Sequence, residues 1–480
     1  MNRISLLLFT LIAFLSGCDK GTLLDNLTPE TKIFVDEINL YGEQRLNSVV
    51  RLHWIGEDQD GYVTGYELSI NNGDWFKTTE TDSTFRFDIP SGSDTTDITF
   101  QIRSIDNLGA IDPTPAELIV PIKNAPPEAK FDTLNVIPDT VFSVWSVLWS
   151  VDDLDGFETL DSTFIKINDG DWIGLDRLES FSTFLPTSPK ENTIQEAQVF
   201  SGLKNAFLPI NLPGLKVDGN NRLYIRARDI AGSFSEIDST KSFFVKRQTS
   251  DLLVIDAHGD NTANPIYHGI LSQVTSGYDY LNLFNNVPPF WDPTFSFTLG
   301  LYDQVFWYGD DQLLASLGQQ LLLEVAANQI QVYLNQGGKI FITNKFPNTY
   351  NDPVTGSISP IFGFSPIDSL SSSTGQARIA KDGKVFPLPD FAGEIDTLIA
   401  SEFITSADPF YPKNQLNVIM KAEIVRVGNW SGPETVCGKS IYNNGKTNQV
   451  FFSIELNRLN GNPAALEKFF DFVLNKEFNW

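Results

Sequence analysis

Leu252-Leu253-Val254-Ile255-Asp256-Ala257-His258-Gly259-Asp260 sets a short apolar run against a polar turn, and Tyr302-Asp303-Gln304-Val305-Phe306-Trp307-Tyr308 followed by Gly309-Asp310-Asp311 repeats the pattern. Runs of this length bounded by turn residues read as buried strands. Apolar residues at Leu314, Leu317, Leu321, Val325 and Val332 predict one long helix from Leu313 to about Gln336, stopped by Gly337-Gly338, and Lys339-Ile340-Phe341-Ile342-Thr343 reads as a third strand. Strand, loop, helix, glycine pair, strand is the order of a parallel sheet with crossover helices, in which ligands bind beyond the carboxyl ends of the strands.

Toward the C-terminus, the Pro/Gly-rich stretch Pro347 to Pro366 reads as a loop or lid over that edge. Asn417 to Met420 and Ala422 to Val427 read as strands, and Cys437 to Tyr442 and Gln449 to Ile454 flank Asn443-Asn444-Gly445-Lys446, a hairpin signal. Asn462 as N-cap and Pro463 at the first helical position open a closing helix through Leu466, Phe469, Phe470 and Val473. The domain spans 250–480.

Toward the N-terminus, residues 34–123 read as short alternating strands with Asp-Gly and Asn-Gly turns. The pattern recurs over 124–247: Trp54 and Trp149 lie 95 positions apart, Trp75 and Trp172 97, and Arg103 and Arg226 123. A domain is therefore duplicated, and the second copy carries an insertion at about 175–220. Pro186, Pro189, Pro209 and Pro213 in that insertion predict a long surface excursion rather than strands. Asn124-Ala125-Pro126-Pro127 marks the boundary between copies. The Asp-rich turns do not fit an EF-hand, which needs ligands at positions 1, 3, 5 and 12 about a glycine at 6. With Gly61 at 6 the first position is Gly56, and with Gly156 at 6 Val151 and Ser162 fail. They read as Asx turns, and no metal site is expected.

The chain has 480 residues, enough for two to four domains, and its 41% hydrophobic content can build real cores. Its 60 acidic against 34 basic residues give a net charge of −26, which argues against nucleic acid as a partner. Asn2-Arg3, the apolar run Ile4 to Phe14 and Leu15-Ser16-Gly17-Cys18 predict a signal peptide over 1–17. This stretch resembles the lipobox of bacterial lipoproteins, which implies cleavage before Cys18, a lipid on its sulfur and membrane attachment. Residues 18–33 then form a polar, lipidated tether. The remaining cysteine, Cys437, leaves no partner for a disulfide.

The duplicated modules resemble fibronectin type III or immunoglobulin-like sandwiches of bacterial surface lipoproteins. The third domain resembles the class I glutamine amidotransferase-like and flavodoxin-like folds, including the trehalose-utilisation-type branch. That resemblance rests on the Leu252 to Asp256 strand, Tyr302 to Gly309, Tyr333 to Phe341, and Gly445-Lys446 to Phe452-Ser453-Ile454 before a last helix. The fold class expected is thus multidomain: two all-β sandwiches followed by an α/β three-layer flavodoxin-like domain. In the amidotransferases a cysteine nucleophile sits on a turn after the strand matched by Lys339 to Thr343. Asn344-Lys345-Phe346 stands there instead, so the family's nucleophile is missing. The lipoprotein resemblance implies a bacterium of the Bacteroidota type and an outer-membrane location.

Candidate catalytic residues at the strand ends are Asp256, His258, Asp310 and Asn344, with His258 and Asp256 or Asp310 as base and orienter. Metal binding by His258, Asp260 and His268 matches no known spacing. Flavin is disfavoured because Asp256 to Asn264 is acidic where a phosphate would sit, and no cofactor is expected. Phe290, Trp291, Trp307, Tyr308 and Tyr350, read as lying in or beside loops after strands, are binding candidates able to stack on a sugar ring or a protein partner. The leading expectation is a non-catalytic, lipid-anchored envelope binding or scaffold protein that docks an envelope protein or glycan. The alternative is an envelope hydrolase acting on glycans or peptides. An enzyme requires Asp256, His258, Asp310 and Asn344 around one cleft; a scaffold has them dispersed or salt-bridged.

Overall fold

The computed structural model describes residues 25–35, 45–288, 290–314, 318–347, 360–370, 375–413, 417–441 and 446–479. The expected signal peptide with Cys18, residues 18–24 of the tether, the tip of the 443–446 hairpin, most of the proposed lid and Tyr350 lie outside the described residues, and the end of the expected tether is part of the strand Glu30–Val35. The chain divides into two compact units. The first holds residues up to Ala129 together with Val151–Thr163 and Arg226–Glu236; the second holds Lys130–Ser150, Phe164–Ile225 and Ile237–Trp480.

In the first unit, residues 30–123 form a two-sheet β-sandwich. One sheet orders the strands Glu30–Val35, Val49–Glu57 and Asp82–Arg86; the other orders Leu46–Asn47, Ala116–Lys123, Thr95–Asp106, Val63–Ile70 and Phe76–Thr78. Alternation along Thr95–Asp106 buries Ile98, Phe100 and Ile102 on one side, the period-2 signature of a sheet with one face on a core. Trp54 lies against Phe100 at 6.2 Å, and its indole N–H donates to the Glu80 carbonyl at 2.7 Å, so its polar atom is satisfied inside the core.

In the second unit, Trp145 stacks on Phe184 at 5.5 Å and packs on Phe243 at 5.6 Å. The expected excursion at 175–220 is overturned. It forms the strands Phe181–Pro186, Ile194–Ser201 and Ala206–Lys216, paired antiparallel in sequence, with Phe181–Pro186 also paired to Trp145–Leu148. The physical reason is positional: Pro209 and Pro213 sit in Ala206–Lys216, the edge strand of that sheet, where a missing N–H breaks no ladder.

The C-terminal part of this unit carries a nine-stranded sheet. Its order is Asp279–Asn282, Leu252–Ala257, Gln304–Gly309, Lys339–Asn344, Thr447–Phe452, Thr435–Ile441, Val418–Ala422, Lys384–Pro387, Leu398–Ile399. The first five are mutually parallel and the last four antiparallel. Every residue of Leu252–Ala257 and Gln304–Gly309 is buried, because both sheet faces are covered. Leu252, Val254 and Phe306 face Tyr267, Leu466 and Phe470, while Leu253, Ile255 and Val305 face Phe295, Ile330 and Tyr333.

The expected fold class does not hold. Strand makes up 46% of the structure and helix 15%, so the chain is mainly β, and no three-layer flavodoxin-like α/β domain is evident. Two observations give the reason. The sheet continues past its parallel part into four antiparallel strands, and a further small sheet pairs Gly375–Ile379 with Ile404–Ala407 and Val425–Gly428. The helices are also short. The long helix expected from Leu313 is Leu322–Val325 and Ala327–Asn335 only, because Gly318 and Gln319 take positive φ of 69° and 63° and turn the chain before it. Its end falls where expected: Gly337, at φ 94°, donates to the Leu334 carbonyl and Gly338 to that of Tyr333, both at 3.0 Å.

Candidate functional site

Parallel pairing in register, Asp256 with Tyr308, Ala257 with Gly309, and Gly309 in turn with Asn344, brings the strand ends to one edge. The loops that follow therefore place Asp256, His258, Asp310 and Asn344 close together. Asp256 is fully buried; its carboxylate accepts the His258 backbone N–H at 3.0 Å and the Tyr280 hydroxyl at 2.5 Å. Asp310 accepts the N–H of Gly259 at 2.8 Å and of Gln312 at 3.0 Å. Asn344 donates to the carbonyls of Lys345 at 2.6 Å and Asp310 at 3.2 Å.

His258 is held from both sides. Its Nε2 meets Glu455 Oε1 at 3.0 Å, and its Nδ1 lies 3.2 Å from the Asp260 carbonyl, 3.4 Å from the Asp260 carboxylate and 3.6 Å from Asp310. Burial works to lower the imidazole pKa, but the Glu455 bond and the charges of Asp310, Glu455 and Asp260 outweigh it and raise the net value. Burial likewise pushes Glu455 up, while His258 and Arg458 pull it below the usual carboxylate range. Arg458 extends the chain of charges, 3.2 Å from Glu455 and 2.6 Å from Glu402. The group is a buried ion-pair network tying loops to strand ends. With both ring nitrogens engaged and only 7% of the residue exposed, His258 has no free face for a substrate proton.

Glu455 escaped the sequence reading, although it follows the fifth parallel strand, Thr447–Phe452, by the rule that singled out Asp256 and Asp310. His268 is not part of the group: it stacks on Tyr278 and shares a 2.5 Å hydrogen bond with that hydroxyl. Among the described residues no three His, Cys, Asp or Glu side chains are gathered tightly enough to hold a metal ion as they stand.

The aromatic candidates separate. Trp307 and Tyr308 lie inside the strand Gln304–Gly309 at 0% and 1% exposure, one on each face, so they are core residues and not stacking platforms. Phe290 packs edge-on to Phe295 at 5.2 Å. Trp291 is 58% exposed and rests edge-on against Phe181 at 5.6 Å.

Trp291 also lines a cavity of about 740 Å³ within the second unit, together with Phe142, Trp145, Tyr280, Val287 and Asp292. Its walls come from the Thr140–Phe142 and Trp145–Asp152 strands, the sheet-edge strand Asp279–Asn282, and the start of the Thr294–Gly300 helix. The lining is apolar in its larger part, with Lys246, Asn282, Asn286 and Asp292 among its polar residues, the mixture from which binding cavities are made. The Trp145 indole N–H is buried without a hydrogen-bond partner. Burial raises the Asp292 pKa, although the carboxylate accepts the Thr294 N–H at 2.8 Å.

No family model matches the chain, and no curated protein matches it. Among solved structures, the chain is similar to the fibronectin(III)-like modules of Clostridium thermocellum CbhA, at 14% identity over 45% of this chain and 94% of that one, with a TM-score of 0.18. It is similar to a two-domain fibronectin type III segment of chicken tenascin, at 12% identity over 45% and 97% of the two chains, with a TM-score of 0.22. It is also similar to the PKD1 domain of the Vibrio cholerae metalloprotease PrtV, at 14% identity over 20% and 99%, with a TM-score of 0.15. The description of residues 30–123 as a β-sandwich stands on the strand pairing itself.

Proposed function

We propose that this chain is a lipid-anchored cell-envelope binding or scaffold protein that docks an envelope protein or glycan through the cavity of its second unit. The observation that carries the reading is a contrast. The candidate acid-base group at the strand ends is buried and internally paired, whereas Trp291 offers an exposed indole at the rim of a preformed apolar cavity. A ligand that suits the cavity has a planar or apolar group able to lie against the exposed Trp291 indole. Membrane attachment comes from the Cys18 lipid, with the acidic remainder of the chain exposed to the envelope. No helix among the described residues is long and apolar enough to cross a membrane.

The test is photo-cross-linking in the native envelope from a reactive residue at Asn286, which lines the cavity, with Asp390 at the far end of the nine-stranded sheet as control. A discrete adduct from Asn286 alone, lost in Trp291→Ala, supports docking; protease or glycosidase sensitivity identifies a protein or a glycan. Equal adducts from both positions, or none from Asn286, refute it. Acyl chains on the N-terminal peptide at Cys18, read by mass, test the anchor.

A further inference from the structure

Asn26, Asp58, Asp60 and Asp106 recur, after the duplication, as Asn124, Asp153, Asp155 and Asp229. The aspartates of the Asp-x-Asp pairs keep the 95-residue offset of Trp54 and Trp149, and the last aspartates keep the 123 of Arg103 and Arg226. All eight residues lie in the first unit.

Their bonding matches as well. Asn26 Nδ2 donates to Asp106 Oδ2 at 2.5 Å, and Asn124 Nδ2 to Asp229 Oδ2 at 2.6 Å. The Leu27 N–H donates to Asp60 Oδ2 at 3.1 Å, and the Ala125 N–H to Asp155 Oδ2 at 2.8 Å. The Asp60 N–H donates to Asp58 Oδ1 at 3.4 Å, and that of Asp155 to Asp153 Oδ1 at 2.9 Å. Asp106 Oδ1 and Asp229 Oδ1 each accept two backbone N–H groups of the turn that follows.

What remains is unpartnered. Asp153 and Asp155 are 2% and 1% exposed, yet Asp153 Oδ2 and Asp155 Oδ1 are buried with no hydrogen-bond partner, and Asp58 Oδ2 is the matching orphan of the first set. Burial raises the Asp153 pKa against the Asp155 N–H and the Thr159 hydroxyl, and the charges of Asp155 and Asp229 add to the rise. Turn formation alone explains only the satisfied oxygens. Buried carboxylate oxygens without donors, facing other carboxylates, call for a cation.

We propose that Asn124, Asp153, Asp155 and Asp229 form a binding site for a hard divalent cation of the Ca²⁺ type, and that Asn26, Asp58, Asp60 and Asp106 form its duplicate. The donors are all oxygen, which suits Ca²⁺, and the flexible geometry of that ion tolerates ligands on separate loops. Histidine and cysteine are absent from both sets, which removes the soft ligands that zinc or copper sites favour. Because the carboxylates are not gathered to coordination distance, the ion draws them in, and the asparagine amide turns its oxygen rather than its nitrogen to the centre. The ion then ties the Asn124-Ala125 entry segment to two turns of the second module, so that divalent cation stiffens the point where the chain enters each repeat.

Calorimetric titration of the full chain with CaCl₂ after chelator treatment tests this. The expected result is two equivalents bound, reduced to one in Asp153→Asn/Asp155→Asn, whose amides keep an oxygen for each backbone donor. Absence of binding, or an unchanged stoichiometry in a variant with wild-type circular dichroism, overturns the proposal. If the variant fails to fold, the unaltered chain decides. A melting temperature that rises with Ca²⁺ and falls again with chelator upholds the site, because a ligand bound only by the folded state stabilises it. One indifferent to both overturns it.

Discussion

His258 sits in a buried ion-pair network, so its protonation is linked to stability. Its raised pKa means that the folded state binds its proton more tightly than the unfolded chain, whose imidazole titrates near 6.5. The stability this supplies is fully present below that value and is lost as pH rises through the folded pKa. Glu455 behaves in the opposite sense: its lowered pKa supplies stability above the ordinary value of 4.5, lost as pH falls through the folded pKa. The pair is therefore most stabilising between about 4.5 and 6.5. His258→Gln is expected to cost on the order of 2 kcal/mol in that window, since it removes a charged hydrogen bond from a buried carboxylate that keeps its Arg458 contact. Denaturant unfolding at a series of pH values checks this; an equal loss at pH 5 and pH 9 would contradict it.

Asp408 adds to the same trend from a different cause. The residue is half-buried but its carboxyl is enclosed, and burial pushes it up to about 7 against the opposing Phe346 N–H bond and Lys345 charge. The folded state again holds a proton that the unfolded chain, at 3.8, releases, so stability declines as pH rises between the two values. Asp408→Asn is expected to flatten that decline and to raise the melting temperature at pH 8 relative to the parent. A steeper decline in the variant would refute the assignment.

Among elements, the parallel strands were legible and the connections were not. Leu252–Ala257 and Lys339–Asn344 announce themselves because a strand covered on both faces needs no polar alternation. The same physics hid the burial of Trp307 and Tyr308, which end the expected strand next to Gly309-Asp310 and so read as available beside a loop although both are core residues. Leu314, Leu317 and Leu321 fit a helical stripe that runs through Gly318, and periodicity cannot register that Gly318 and Gln319 take positive φ. The strands of the 175–220 insertion were hidden by its prolines, of which Pro209 and Pro213 fall in an edge strand, Pro186 at the end of a strand and Pro189 in the turn after it. For the candidate site, the rule about strand ends located Asp256, His258 and Asp310. It could not show that Tyr280 and Glu455, distant in sequence, would close over them.

The insertion gives this scale its own test. Gly170, in the turn after Leu160–Ile167, lies so close to the edge strand that an added Cβ would run into the Pro213 carbonyl oxygen. Backbone cannot yield there as a flexible side chain would, so Gly170→Ala is expected to destabilise by about 1–3 kcal/mol. Thermal unfolding reads the cost. A neutral result would mean that the insertion does not pack on that turn as described.

At the scale of the molecule, a net charge of −26 coexists with a cavity rimmed by an exposed tryptophan, and the proposed docking requires recognition by shape and apolar contact there. Trp291→Ala is expected to weaken partner recovery at least about tenfold, the effect of losing an aromatic anchor, with no change in melting temperature greater than that of an ordinary surface substitution. Equilibrium binding of the captured partner to both proteins measures the ratio.

The most direct measurement compares cross-linking from Asn286 in three backgrounds: the parent chain, Trp291→Ala and His258→Gln, each confirmed folded. Docking through the cavity predicts an adduct that Trp291→Ala removes and His258→Gln leaves intact. An adduct kept in Trp291→Ala but removed by His258→Gln would contradict the account and return the strand-end group to the centre of function.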